Sequence, residues 1–260
     1  MEVLERIMYQ VRQRKYITSQ DLDGRETQYK CTKCKDIGWI RNEHDAYRRC
    51  DCYEKEKIER LWKAFGANPK EVKKLNNYIP YDELTKKVKQ SAAQYIKSFE
   101  DIRKNRENSF GLFGQSGAGK THVIVSIGAA LLNNNVKAIY MPYLEAMREL
   151  KANVIDNEHY IKLIGRYQQA EVLIIDDLFK EKVRKGNLIG YITEADMKHI
   201  YPIINYRYFN YLPTLISSEC TPSMLCDLDD ALAGRMLEFC GEDIFIFDDL
   251  NYNYRMRRFK

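Results

Sequence analysis

The sequence predicts an α/β protein: a doubly wound, parallel, five-stranded sheet built around a phosphate-binding loop and preceded by a small zinc-binding domain. Three observations lead there. A complete G-x-x-x-x-G-K-T stretch, Gly114-Gln115-Ser116-Gly117-Ala118-Gly119-Lys120-Thr121, lies between the apolar, strand-like run Phe110-Gly111-Leu112-Phe113 and an apolar helical run from His122 to Leu132. Strand-like runs then alternate with helical stretches to the end of the chain, the pattern of a parallel sheet with helical crossovers. Four of the seven cysteines crowd between Cys31 and Cys52.

Composition sets the limits. The 260 residues suit one sizeable domain and one small one, and the net charge of +5 permits a nucleic-acid partner without arguing for one. The chain is charged from Glu2 onward, and no apolar stretch approaches the roughly 20 residues that span a bilayer. We therefore expect no targeting segment, no membrane association and a cytoplasmic protein. An odd cysteine count, with four clustered, favours a metal site over a disulfide framework.

Taken in order, Val3, Ile7, Met8 and Val11 predict a short amphipathic helix over Glu2 to Tyr16, either a partner-binding face or packing for the cysteine-bearing segment. Cys31-Thr32-Lys33-Cys34 and, after fifteen intervening residues, Cys50-Asp51-Cys52 are two tight thiolate pairs that suit a tetrahedral zinc site. His44 is an alternative ligand, and reduced core cysteines are the bland reading. Lys30, Lys33, Lys35, Arg41, Arg48 and Arg49, with Trp39 and Tyr47 among them, suit single-stranded nucleic acid, a protein surface or plain solvation. A charged helix from Tyr53 to Phe65 is broken by Gly66-Ala67-Asn68-Pro69. The expected division is an N-terminal domain over 1–65, a linker over 66–83 and a nucleotide domain over 84–260. Leu84, Val88, Ala92, Tyr95, Ile96, Phe99 and Ile102 recur at helical spacing and open that domain. Further strands are expected at Val136 to Met141, Glu171 to Asp177, Pro213 to Glu219 and Asp243 to Asp248, with helices at Tyr143 to Asn153 and Glu158 to Gln169.

The chemistry converges on the loop. Gly114, Gln115, Ser116, Gly117, Ala118 and Gly119 let backbone N–H groups curl around phosphate oxygens, and the helix beyond them aims its positive end at the same anion. Lys120 reaches the β- and γ-phosphates of ATP or GTP, and the Thr121 hydroxyl ligates Mg2+. Asp176, ending an apolar strand, is where a carboxylate holds that magnesium. Asp177 polarises the attacking water, and for both carboxylates the alternative is a helix cap after the strand. Arg235 lies on an otherwise apolar helical run. Its partner is either a phosphate on a neighbouring subunit or an intramolecular carboxylate.

Together these residues resemble the AAA+ ATPases of the DnaC/DnaI helicase-loader and IstB transposition-helper group, especially loader-like proteins carried by phages, over about residues 75 to 260. The resemblance makes G-Q-S-G-A-G-K-T Walker A, L-I-I-D-D Walker B, A-G-R-M-L-E the arginine-finger helix and P-T-L-I-S-S-E the sensor-1 strand. There the sequence departs. The family's asparagine falls on Glu219, with Ser218 beside it, and a carboxylate near a γ-phosphate repels it unless water, magnesium or a cation is held between. Ser218 is the nucleotide contact expected at this strand end. Tyr143 to Lys162 matches the part that contacts single-stranded DNA, with Arg148 and Lys151 as phosphate contacts. With twenty-five residues after Arg235, no helical lid is expected, as in this group. The resemblance implies ATP, Mg2+ and Zn2+ as cofactors. It also implies a DnaB-type hexameric helicase and single-stranded DNA as partners, ATP-dependent self-assembly, and weak hydrolysis in isolation. The cysteine domain favours a replicative helicase loader. The alternatives are an IstB-like transposition helper and a zinc-containing nucleic-acid adaptor that uses ATP as a latch.

Overall fold

The computed structural model describes residues 29–41, 46–66 and 71–259. The helix expected over Glu2 to Tyr16, together with His44 and Ala67-Asn68-Pro69, lies outside them. The chain forms two compact units, divided after Glu54.

In the first unit, β1 (Trp39–Arg41) and β2 (Tyr47–Arg49) pair antiparallel, with Trp39 opposite Arg49. Immediately before β1 the chain reverses through Lys35 and Asp36, both left-handed, and Gly38 at φ +77°. The Ile37 N–H donates to the Cys34 carbonyl and the Cys50 N–H to the Gly38 carbonyl. Helix α1 (Asp51–Phe65) then begins, with Asp51 and Glu54 in its first turn, where carboxylates favour the helix dipole.

The second unit carries α2 (Glu83–Ile102), β3 (Phe110–Gly114), α3 (Lys120–Asn133), β4 (Ala138–Pro142), α4 (Tyr143–Ala152), α5 (Asn157–Gln168) and β5 (Val172–Leu178). A small hairpin of β6 (Val183–Arg184) and β7 (Asn187–Leu188) comes next, then α6 (Glu194–Phe209), β8 (Thr214–Ser218), α7 (Pro222–Leu228), α8 (Asp230–Cys240) and β9 (Ile244–Phe247). The main sheet has five strands in the order β4-β5-β8-β3-β9, all parallel. Alternation along β5 serves two cores at once, as a strand covered on both faces must. Ile174 packs with Val88, Tyr95 and Phe99 of α2 and Ile124 and Ile127 of α3, while Leu173 and Ile175 pack with Leu150 of α4, Ile200 and Ile203 of α6 and Met236 of α8.

Local chemistry sets the helix starts. Asp82 accepts from the Thr85 N–H at 2.7 Å in a capping box that opens α2, and Thr193 with Asp196 does the same for α6. β4 begins at Ala138 and not at Val136, because the Val136 N–H is spent on the Leu131 carbonyl in closing α3. The Arg207 guanidinium is wholly buried and donates to the carbonyls of Tyr167, Gln168, Ala170 and Pro213 and to the Thr214 hydroxyl. It thereby ties the end of α5 and the start of β8 to α6. Burial pushes its pKa down to about 9.

The residues just before α2 also pack on this body. The Lys73 carbonyl accepts from Ser126, Tyr78 is 5% exposed, and Trp62 of α1 donates to Asn133. After β9 the described chain continues in 3-10 turns, Leu250–Tyr252 and Tyr254–Phe259. Among the described residues no helix is long and apolar enough to cross a membrane.

Candidate functional site

The carboxyl ends of β5, β8 and β3 lie side by side, and the strand order reverses there, which is where open α/β sheets form a ligand crevice. A cleft of about 1130 Å³ opens at that edge. Its wall includes the loop from Ser116 to Thr121, together with Tyr78, Tyr140, Asp177, Lys180 and Glu219.

The loop needs its glycines. Gly114, Gly117 and Gly119 take φ of +97°, +79° and +91°, which L side chains rarely adopt. A Cβ on Gly114 would also stand 2.2 Å from the Phe247 carbonyl oxygen, and one on Gly119 2.8 Å from the Tyr78 ring. Gly119 is the N-cap of α3 and has no side chain to offer, so the first N–H groups of that helix face the cleft without a capping side chain. Such a row of amides at a helix N-terminus suits an anion. Lys120, 5% exposed, folds back so that Nζ donates to the Gly114 and Gln115 carbonyls at 2.7 and 2.8 Å. Burial lowers its pKa to about 8, although the nearby Glu219, Asp177 and Asp176 carboxylates pull the other way.

Thr121 and Asp176 meet as the sequence requires. The Thr121 hydroxyl donates to Asp176 Oδ1 at 2.9 Å, Ser217 donates to the same oxygen at 2.5 Å and the Tyr140 hydroxyl donates to Oδ2 at 2.8 Å. Ser217 and Tyr140 thus hold one nearly buried carboxylate against the threonine, an oxygen-donor set of the kind Mg2+ takes. Ser217 and Tyr140 escape a linear reading because they act from other strands, though each falls on the last residues of a predicted strand. Asp177 lies within the register shift between Ile175 and Leu178 and is left-handed, φ +56°. Its carboxylate lines the cleft and pairs with Lys180 at 2.5 Å.

Ser218 is fully buried; its hydroxyl donates to the Leu178 carbonyl at 2.6 Å and accepts from the Cys220 N–H. From this strand end it is Glu219 that reaches the cleft, with Lys180 at 3.5 Å as the cationic neighbour the carboxylate requires. Lys180 carried no mark in the sequence beyond standing three residues past Asp177.

Arg235 lies on α8 and does not line the cleft. Its guanidinium stands over the Tyr201 and Tyr208 rings, 5.1 and 5.9 Å from their centroids, and Nη1 is buried without a hydrogen-bond partner. Among the described residues no ion pair involves it, so the intramolecular carboxylate considered as an alternative is not found. In the expected DNA segment, Arg148 is exposed on α4, whereas Lys151 is held by Asp196 at 2.5 Å. The α4–α5 turn presents Val154 and Ile155 to solvent, Ile155 almost completely.

In the first unit, the Sγ atoms of Cys31, Cys34, Cys50 and Cys52 all lie within 4.8 Å of one another, with Cys31 to Cys50 at 3.7 Å and Cys34 to Cys52 at 3.3 Å. Zinc–sulfur bonds of about 2.3 Å in a tetrahedron put sulfurs about 3.8 Å apart, so the four thiols fit that ion. The Gly38 N–H also donates to Cys34 Sγ at 3.3 Å, as amides do to a thiolate that carries charge. The Arg49 guanidinium lies 4.0 Å from the Trp39 ring centroid and 4.2 Å from that of Tyr53.

Residues 81–241 match the family described as the bacterial DnaA ATPase domain. The Bacillus subtilis (strain 168) protein YqaM is 36% identical over 233 residues, covering 87% of this chain and 71% of its own. The phage-like element PBSX protein XkdC of the same organism is 30% identical over 268 residues, covering 98% of this chain and 96% of its own. Among solved structures, a DnaC helicase loader superposes with a TM-score of 0.55 at 17% identity, over 73% of this chain and 99% of that one. At that identity the likeness concerns the fold.

Proposed function

The chain belongs to the family of the bacterial DnaA ATPase domain, and from that premise we propose that it is an ATP-hydrolysing loader that places a DnaB-type hexameric helicase on single-stranded DNA during replication in the cytoplasm. The observation that carries the reading is the cluster of Cys31, Cys34, Cys50 and Cys52 ahead of a complete nucleotide cleft in one chain. An ATPase of this fold needs no metal knuckle for its chemistry, so the knuckle is a surface for a partner. A basic, aromatic, metal-stiffened module ahead of the ATPase domain is the part that grips the helicase.

The geometry of the cleft supports the following roles. Loop amides and Lys120 bind the phosphates. Thr121 and Asp176 hold Mg2+, which when bound neutralises the charge that develops on the phosphoryl oxygens. Asp177 accepts from the attacking water. Arg235, with an unpartnered Nη1 against two tyrosine rings, supplies its charge to ATP on a neighbouring subunit. Such a residue acting in trans is worth roughly 10³ to 10⁵ in rate, so an isolated subunit is nearly idle and assembly with ATP switches it on. The α4–α5 surface around Arg148 tracks the DNA backbone, with little dependence on sequence and a strong dependence on salt. Four thiolates hold Zn2+ and contribute much of the folding energy of so small a unit.

The test is a loading assay with the full chain, a DnaB-type helicase from a related host and circular single-stranded DNA. Helicase transferred to the circle only when ATP and the chain are both present supports the reading. If the chain ignores the helicase but binds a transposase, the transposition-helper alternative takes over. If it binds nucleic acid and ATP without turnover, the adaptor alternative does.

A further inference from the structure

We propose that Lys180 is the residue by which the cleft distinguishes a nucleoside triphosphate from a diphosphate. The proposal rests on reading the cleft as a nucleotide site. Two left-handed residues, Asp177 and Phe179, both at φ +56°, turn the chain out of β5 and deliver Lys180 into the cleft. Left-handed backbone at two non-glycine residues so close together is costly and marks a segment whose direction matters.

The placement gives the cleft two cations of different character. Lys120 is buried and bonded to neutral carbonyls inside the loop. Lys180 is 41% exposed and stands between the carboxylates of Asp177, at 2.5 Å, and Glu219, at 3.5 Å. It lines the same cleft as the loop, next to Asp177 of β5 and to Glu219, which follows β8. The last phosphate of a triphosphate reaches Lys180, and a diphosphate stops short of it. The neighbouring Lys182 is not available for this, being held by Asp196 at 3.0 Å and Glu181 at 3.3 Å.

The charges have two consequences. While the ammonium sits on Asp177 Oδ2, it competes with water for that oxygen's lone pairs. While Lys180 stands beside it, Glu219 can face a phosphate that it would otherwise repel. A terminal phosphate competes with both carboxylates for the ammonium. Its arrival draws Lys180 off Asp177 and leaves that carboxylate free to receive the water, so occupancy by the triphosphate and readiness for hydrolysis are coupled through one side chain.

The experiment measures ATP and ADP affinity, each with Mg2+, by calorimetry on the full chain and on Lys180→Gln, Lys180→Arg and Lys120→Met. A charged hydrogen bond to the last phosphate is worth about tenfold or more in affinity. Lys180→Gln is therefore expected to weaken ATP about tenfold or more and ADP by less than twofold, with Lys180→Arg restoring most of the preference. Should Lys180→Gln fail to fold alone, the double variant Lys180→Gln with Glu219→Gln, which removes both partners of one ion pair, is compared with Glu219→Gln and is expected to lose the ATP-over-ADP preference that Glu219→Gln keeps. An unchanged preference in Lys180→Gln, or an equal loss for both nucleotides, overturns the proposal. The two failures separate cleanly. If the unaltered chain binds neither nucleotide, the nucleotide reading itself is wrong; if Lys120→Met loses both while Lys180→Gln, alone or with Glu219→Gln, keeps the original preference, only the role of Lys180 falls.

Discussion

Replacing Lys120 by methionine should stabilise the empty protein at neutral pH while abolishing nucleotide binding, and the two effects share one cause. The ammonium is buried before any phosphate reaches it, and its pKa falls from 10.5 to about 8. A shift of that size corresponds to about 3 kcal/mol of unfavourable charge burial at pH 7. Methionine keeps most of the volume and removes the charge, but leaves the Gly114 and Gln115 carbonyls without their donor, at about 1 kcal/mol each. The net expectation is a gain of about 1 kcal/mol, or about 3 °C in melting temperature for a domain of this size. The sign reverses with pH. A lysine whose folded pKa is depressed carries its full penalty below that pKa and sheds it as pH rises from about 8 to 10.5, where the unfolded chain binds the extra proton. Wild type therefore gains about 3 kcal/mol on the variant across that window, and the order of stabilities inverts. Urea unfolding of both proteins at several pH values, without nucleotide, reads the difference directly; other titrating groups cancel between them. A variant that is the less stable protein at pH 7, with a gap that does not change with pH, would refute the reasoning. Saturating ATP with Mg2+ should stabilise wild type and leave the variant where it was.

One zinc per chain is expected by elemental analysis of protein purified without chelator, and Cys50→Ser should release it and unfold the small unit, read as loss of protease resistance before Glu54 with the nucleotide domain intact. Arg235→Ala should keep its ATP affinity and lose hydrolysis; mixing it with Lys120→Met should restore part of the turnover, because the latter still donates an arginine to a neighbour holding ATP. No recovery at any mixing ratio, with mixed assembly confirmed by native mass spectrometry, would make Arg235 a packing residue of the α6–α8 face.

Much of this protein was determined locally and was therefore legible in its sequence. A phosphate loop is backbone geometry written in glycines, and Gly114, Gly117 and Gly119 all take the positive φ that glycine accommodates. A fully covered strand such as Val172–Leu178 must be apolar on both faces, and paired cysteines three or fewer residues apart meet through their own tight turns. The tertiary structure alone decided what depends on residues brought together from separate elements. Tyr140 and Ser217 converge on Asp176 from two neighbouring strands. Ser218 turns inward to Leu178, leaving Glu219 at the cleft, because a bulge shifts the β5–β8 register and alternation decides which side chain faces out. Lys151 meets Asp196 across 45 residues, and Arg235 finds two tyrosine rings in place of a carboxylate. Periodicity and spacing encode what a segment does with its own backbone, whereas an ion pair or a hydrogen bond between distant segments exists only once the packing of the sheet has fixed which of their side chains can touch.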